Sequence, residues 1–213
     1  MKTGKILICF LSALLICNFS KGQTALGSVE QNKVMERIEE ASKKMENMQC
    51  EFSQTKTLKL LKEQMVSKGK MYFVQPNKLR WQYTHPYEYT FILNNDKVYI
   101  NSAAGVQNID VKENRIFREI TDVILKSITG GNLKNTTDFS VELFKQASSY
   151  YVRLTPKKRQ IKQIYNYIEV YFNPSLTEVS EVKMEEKTGD ITLVKLFNTK
   201  VNTRIDEKLF SAN

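Results

Sequence analysis

Residues able to act as acid, base, nucleophile or metal ligand are few in this chain, and they do not cluster. His85 is the single histidine, set between Thr84 and Pro86 in a stretch that reads as a turn, and no nucleophile motif stands elsewhere to partner it. Cys9, Cys17 and Cys50 are the only cysteines. Cys50 alternates with Phe52 at the start of a strand-like run, which suits a small buried apolar residue better than a reactive thiol. These residues make no zinc spacing, and no EF-hand or Gly-rich phosphate loop is present, so neither a metal nor a cofactor is expected. The one dense basic run, Lys157-Lys158-Arg159 with Lys162, follows Pro156. It reads either as a solvated loop or as an electrostatic contact for an acidic partner or a lipid surface. Apolar residues are placed far more regularly: Phe73, Leu79, Trp81, Tyr83, Phe91 and Leu93 fall at alternate positions on neighbouring strand-like runs and can share one face of a sheet. As packed core that face needs no ligand; as a lining beneath a movable cover it would shelter acyl chains. Catalysis is not expected.

Holding such a face together falls first to the stretch from Gly69 to Tyr83. Pro76-Asn77 reverses the chain there, because Pro fixes its own φ and Asn tolerates turn conformations. Beyond the turn Leu79, Trp81 and Tyr83 alternate with Lys78, Arg80 and Gln82, so one side of the strand meets water and the other something apolar. Gln49–Leu60 and Lys62–Gln75 read as a long hairpin, and Tyr87–Leu93 with Lys97–Ser102 as another, turned at Asn94-Asn95-Asp96. Phe139–Phe144, Tyr150–Thr155, Tyr167–Asn173, Val179–Glu186 and Ile191–Phe197 read as further strands. Two segments have helical period. Ser28-x-x-Gln31 gives a capping-box signal ahead of Val34, Ile38, Ala41, Met45 and Met48, opposite a face bearing Glu36, Arg37, Glu39, Glu40, Lys43, Lys44 and Glu46. Ile116, Ile120, Val123, Ile124 and Ile128 repeat in the same way before Gly130-Gly131, a C-terminal stop. The expected fold is α+β, a mostly antiparallel sheet of about ten strands, which must curl and can bury its apolar face by laying the two helices across it.

The order Phe52-x-Gln54, Gly69 opening a strand, Pro76-Asn77, Leu79-Arg80-Trp81-x-Tyr83 and Pro86 resembles the LolA family, periplasmic carriers of outer-membrane lipoproteins, over nearly all of the chain beyond its N-terminal segment. The resemblance implies an open half-barrel under a helical lid. It implies acyl chains bound against Phe73, Leu79, Trp81, Tyr83, Phe91 and Leu93, with Val34, Ile38, Met45, Ile120, Ile124 and Ile128 on the lid. The implied partners are acylated lipoproteins, an inner-membrane lipoprotein-releasing transporter and, where one exists, an outer-membrane receptor. Proteobacterial LolA proteins usually carry Arg just before the motif proline, where it helps tie the lid shut. Gln75 stands there in this chain, and an uncharged amide should make a weaker tie. Leu79 also replaces the usual Phe three residues past that proline, so cargo and receptor stay open. A second class stays open too, because related half-barrels serve as RseB-like sensors or interaction proteins, or carry other lipids or glycolipids.

Met1–Lys5 is basic, Ile6–Ile16 is an apolar run, and Ser20-Lys21-Gly22 puts small residues at the positions a signal peptidase reads. Residues 1–22 are therefore expected to be a cleaved signal peptide, and 23–213 a single periplasmic domain of roughly 190 residues. The alternative is acylation at Cys17, although Ile16 stands where a small residue is normally required. No later run approaches the ~20 apolar residues of a membrane span. The formal net charge is +9; removing Lys2, Lys5 and Lys21 leaves about +6. Export and the lack of a recognition-module signature argue against nucleic acid, and favour anionic headgroups or an acidic protein as the partner. A monomer is expected. The exported protein should have an intact mass that places its start at Gln23 with no lipid attached; a start at Cys17 with a lipid mass added would make the chain itself a lipoprotein.

Overall fold

The computed structural model describes residues 24–110, 125, 129, 130, 133 and 137–211. In chain order these form β1 (Thr24–Ala25), helix α1 (Ser28–Lys44), β2 (Asn47–Leu58), β3 (Glu63–Val74), β4 (Lys78–His85), β5 (Tyr89–Asn94), β6 (Lys97–Ser102) and β7 (Gly105–Asp110). They continue with β8 (Phe139–Gln146), β9 (Ser149–Pro156), a one-turn helix α2 (Arg159–Lys162), β10 (Tyr165–Phe172), β11 (Val179–Glu186), β12 (Ile191–Val201) and a 3-10 turn, Glu207–Phe210. The strands make one sheet in the order β1-β8-β9-β10-β11-β12-β2-β3-β4-β5-β6-β7. Two antiparallel meanders are thus joined where β12 lies against β2, from Ile191 opposite Thr57 to Val201 opposite Met48.

Side chains alternate between the faces of a strand, so the pairing register decides which of them meet. Here it carries one apolar set from strand to strand. Met48, Phe73, Leu79, Leu93 and Val98 are successive partners on β2 to β6, and Val152, Val170, Val182 and Val194 are successive partners on β9 to β12. All of them are buried in one hydrophobic cluster. The opposite, outer face is polar. At its centre Glu169 is almost wholly buried, held by Arg153 at 2.6 Å, Lys183 at 3.4 Å and the Tyr171 hydroxyl, which donates at 2.9 Å. Phe144, Tyr151 and Tyr171 stack beside that cluster with centroids 5.1 and 4.8 Å apart. Further along the outer face, the C-terminal segment crosses β2 to β5. Arg80 Nη1 donates to the Leu209 carbonyl at 3.1 Å, Asn94 Nδ2 to the Phe210 carbonyl at 3.1 Å, and Gln49 Nε2 to the Thr203 hydroxyl at 2.8 Å.

An antiparallel sheet collects its turns at two ends. One end carries the β3–β4 and β10–β11 turns and the close of β12, and α1 lies there. The other carries the β2–β3, β4–β5 and β11–β12 turns and α2. Several expectations are corrected. Ser28 is the first helical residue rather than the cap; Gly27 is the N-cap, its carbonyl receiving the Gln31 N–H at 3.0 Å with no side-chain cap bond. Met48 belongs to β2 rather than to the helix, which ends at Lys44, and the buried stripe of α1 is Val34, Met35, Ile38 and Ser42. The basic run after Pro156 is partly helical, with Lys158 paired to Asp138 at 2.9 Å. β7 pairs with β6 although nothing in its sequence announced a strand. Ile116, Ile120, Val123, Ile124 and Ile128 lie outside the described residues, but the stop that follows them is visible. Gly130 has φ +63°, and a Cβ there would sit 2.5 Å from the Phe172 ring.

Gly69 is the most crowded of the described glycines. It lies opposite Phe52 on β2 and Tyr83 on β4, at a register shift, and a Cβ there would fall 1.9 Å from the Gln82 carbonyl oxygen and 2.7 Å from the Phe52 ring. Backbone cannot yield as a flexible side chain can, so Gly69→Ala should destabilise the protein by about 1–3 kcal/mol. Urea unfolding measures this, and an unchanged midpoint would mean that β4 is free to move away.

Candidate functional site

The six residues expected to line a binding face do share the inner face. Phe73 faces Leu79, Leu79 faces Leu93, and Trp81 faces Phe91, with Tyr83 two residues along on the same side. They divide into two groups. Phe73, Leu79 and Leu93, at the α1 end, are 1% exposed, whereas Trp81, Tyr83 and Phe91, nearer the other end, are only half-buried. Helix position explains the division, because Val34, Ile38 and Met45 of the first helical segment enter the same cluster as the fully buried group. Ile120, Ile124 and Ile128, the other residues expected to cover the face, lie outside the described residues; Leu125 and Leu133 from that region pack against the cluster.

Sequence reasoning missed much of the face. Phe52 is central to it: its ring lies 4.5 Å from Trp81 and 5.2 Å edge-on to Tyr83, and Tyr83 in turn is 5.9 Å from Tyr89. Met71 sits opposite both Cys50 and Trp81, and Met184 and Ile100 extend the half-buried part. Their alternation was legible, but not which strands would lie side by side. Two polar groups interrupt the aromatic pile. The Tyr83 hydroxyl donates to Gln54 Oε1 at 3.0 Å, and the Trp81 indole N–H is buried with no hydrogen-bond acceptor. Burial pushes the Tyr83 hydroxyl up from its ordinary pKa, so it stays a neutral phenol across the physiological range.

α1 is fastened to the strand ends by polar contacts along its length. Glu30 accepts from the Tyr150 hydroxyl at 3.1 Å, Arg37 Nη2 donates to the Ser175 carbonyl at 3.1 Å, and Asn202 Nδ2 donates to the Lys44 carbonyl at 2.9 Å. Gln75, in the turn between β3 and β4, completes the set. Its amide Nε2 donates to the carbonyls of Ser42, at 2.8 Å, and of Met45, while its backbone N–H reaches the Glu46 carbonyl at 2.9 Å. The Ser42 carbonyl is in the last turn and also receives the Met45 N–H at 3.3 Å, while Met45 and Glu46 lie just past the end of the helix.

His85 is exposed at the end of β4, and no group of acidic, His or Cys residues among the described residues could hold a metal. The family model of the outer membrane lipoprotein carrier protein LolA matches residues 43–213, which takes in the end of α1 and every strand from β2 onward. The chain belongs to the LolA family. It is 23% identical over 166 residues to an outer-membrane lipoprotein carrier protein of Pseudoalteromonas translucida, covering 78% of this chain and 76% of that one. It is 22% identical over 164 residues to another from Methylococcus capsulatus, covering 76% and 75%. Among solved structures, the Pseudomonas aeruginosa MucA/MucB complex shares the fold of this LolA-family chain at a TM-score of 0.51 and 11% identity, covering 86% of this chain and 61% of that one.

Cys50 lies on the inner face, and burial, reinforced by Glu178 and Glu51, pushes its thiol up to about 12. The neutral thiol is thus favoured by the fold. Its contribution to stability is fully present below the ordinary thiol value of about 9 and is lost as pH rises from there toward about 12. A disulfide reagent at mildly alkaline pH should leave native Cys50 unmodified and label it once urea unfolds the chain. Fast labelling of the native protein would show that the inner face opens to water.

Proposed function

We propose that the protein is a periplasmic carrier that shelters the acyl chains of lipoproteins against the inner face of its sheet and takes them from the inner toward the outer membrane. In this reading an inner-membrane transporter loads it, and an outer-membrane receptor, where one exists, unloads it. Membership of the LolA family supports it, and one geometric observation carries it to these residues. A single apolar face is sealed by α1 at one end and only half-buried around Trp81, Tyr83 and Phe91 at the other. Bare transit of a triacylated anchor through water would cost on the order of 30 kcal/mol, at ~0.8 kcal/mol for each exposed CH₂, so the chains need continuous cover. A carrier must also let go. The covering helices compete with cargo for the same apolar surface, which keeps binding weak enough for delivery. No chemical step is required of the protein.

Gln75 is the tie of the closed state in this proposal, taking the place of the family's usual Arg. Gln75→Ala removes two donors from the last turn of α1, a loss of about 1–3 kcal/mol. If α1 lifts when cargo enters, the whole loss falls on the empty form, and affinity for a fluorescent fatty acid should rise roughly 5- to 100-fold as thermal stability drops. Trp81 emission, from the single tryptophan, should shift on saturation with an acyl ligand. A variant that melts earlier with unaltered affinity, together with a Trp81 spectrum indifferent to ligand, would make the helix permanent core and leave the carrier without a mechanism. A purified protein free of extractable lipid would favour a sensor working through protein contacts.

A further inference from the structure

The β2–β3 hairpin outruns β4 on one side and has the β11–β12 turn beside its tip on the other. β12 leaves β2 at the Thr57–Ile191 pair, and β4 leaves β3 at the Lys68–His85 pair, so residues 58–67 project as a prong with one unpaired edge. The prong is at the end of the sheet away from α1. Leu60 at its tip is 92% exposed and Leu61 is 61% exposed, with Met65 and Val66 behind them at 57% and 44%. Turn tips are ordinarily polar, and these side chains add little to the core, so their apolar character needs another cause.

Charge accompanies them. Lys59 and Lys62 flank the leucine pair, both exposed, and Lys68 is exposed at the base of the prong. Lys56 is paired with Glu186 at 2.8 Å, and the acids nearby are Glu63 on the prong, Glu88 in the β4–β5 turn, and Glu185, Glu186 and Asp190 around the β11–β12 turn. Asp190 accepts from the Lys59 backbone N–H at 3.0 Å, which holds the base of the tip in place. The same end of the sheet presents exposed Lys157, Arg159, Lys162 and Lys187, and Tyr87 at 81% exposure.

We infer that this prong docks the protein on an anionic bilayer surface, with Leu60 and Leu61 entering the boundary between headgroups and acyl chains while Lys59 and Lys62 stay at the level of the phosphates. Two leucines between two lysines suit that boundary, because long cationic side chains reach the headgroups while their apolar neighbours go deeper. A folded protein partner would need a complementary surface of about 20–30 residues a side, which a prong of this size does not present, whereas a lipid surface requires no shape complementarity. The inference stands on the prong itself and goes beyond the carrier reading. Where both hold, docking would turn the half-buried Trp81–Tyr83 end of the inner face toward the bilayer.

The test is flotation of the exported protein with vesicles of phosphatidylglycerol and phosphatidylethanolamine, compared with phosphatidylcholine vesicles. Binding is expected to the anionic vesicles, weaker to the neutral ones, and diminished by salt. Leu60→Ser/Leu61→Ser and Lys59→Glu/Lys62→Glu should each weaken it about 10-fold or more, with the melting temperature and fatty-acid affinity held at wild-type values. Wild-type protein that stays off anionic vesicles, or a leucine variant that floats like wild type, would overturn the inference while leaving the carrier reading intact. So would a leucine variant whose only change is loss of self-association, since the prong would then be a contact between copies. A protein that docks normally but takes up no fatty acid would count against the carrier reading alone.

Discussion

The structure depends on the register of its strand pairs. Each pair sends an apolar side chain to the inner face opposite another one, so that a surface begun by Met48 on β2 continues through Phe73, Leu79 and Leu93 to Val98 on β6. A slip by a single residue in any pair would turn that strand's apolar set outward. The result is one long apolar surface on a sheet too wide to bury it against itself, and α1 covers only part of it. Most of the helix's sequence is polar, and what keeps it in place is its narrow stripe together with fastenings at Glu30, Arg37, Lys44 and the carbonyls that Gln75 reaches. Those are individually modest bonds at the surface of the protein. The helix is thus placed by several modest contacts rather than by one strong one.

Much of this was legible before the structure. The turn at Pro76-Asn77 follows from the backbone preferences of those two residues, and the two hairpins and the common side of Phe73, Leu79, Trp81, Tyr83, Phe91 and Leu93 from alternation, because both are local information. The failures have equally physical causes. Met48 fits a helical stripe running from Val34 as well as it fits a strand with Cys50 and Phe52, and only the break at Met45 decides between them. Gly27 rather than Ser28 is the cap, extended at φ −63° and ψ 150°, and nothing in the structure explains the choice over the side-chain acceptor. β7 carries too few apolar residues to show a period, and it is a strand because β6 offers it an edge. The junction of β12 with β2 could not be read at all, because alternation says nothing about which strands become neighbours. The position of Gln75 was marked only by the family's motif, and its hydrogen bonds to α1 are a tertiary fact.

The two faces of the sheet handle burial differently. Inside, exclusion of water is achieved with apolar groups and leaves few obligations, the partnerless indole N–H of Trp81 being one. Outside, β9 to β11 bury a carboxylate, and the carboxylate of Glu169 is satisfied by two cations and a phenol while aromatic rings shield the cluster. Such a network gains little over an apolar patch in net stability but is unforgiving of displacement, since Glu169 left without its partners would be a buried charge. It fixes the relative positions of three strands from the side opposite the apolar face, leaving that face rich in methionine and aromatic side chains.

The C-terminal segment has a related effect on shape. Its contacts with Gln49, Lys78, Arg80 and Asn94 all reach the sheet from outside, and all lie at the end where α1 sits. A curved sheet gains room within by flattening, and flattening moves its outer layer in shear. The segment ties β2, β4 and β5 from outside at the α1 end, and among the described residues it makes no such tie at the other end, so any flattening of the sheet would be least at the α1 end.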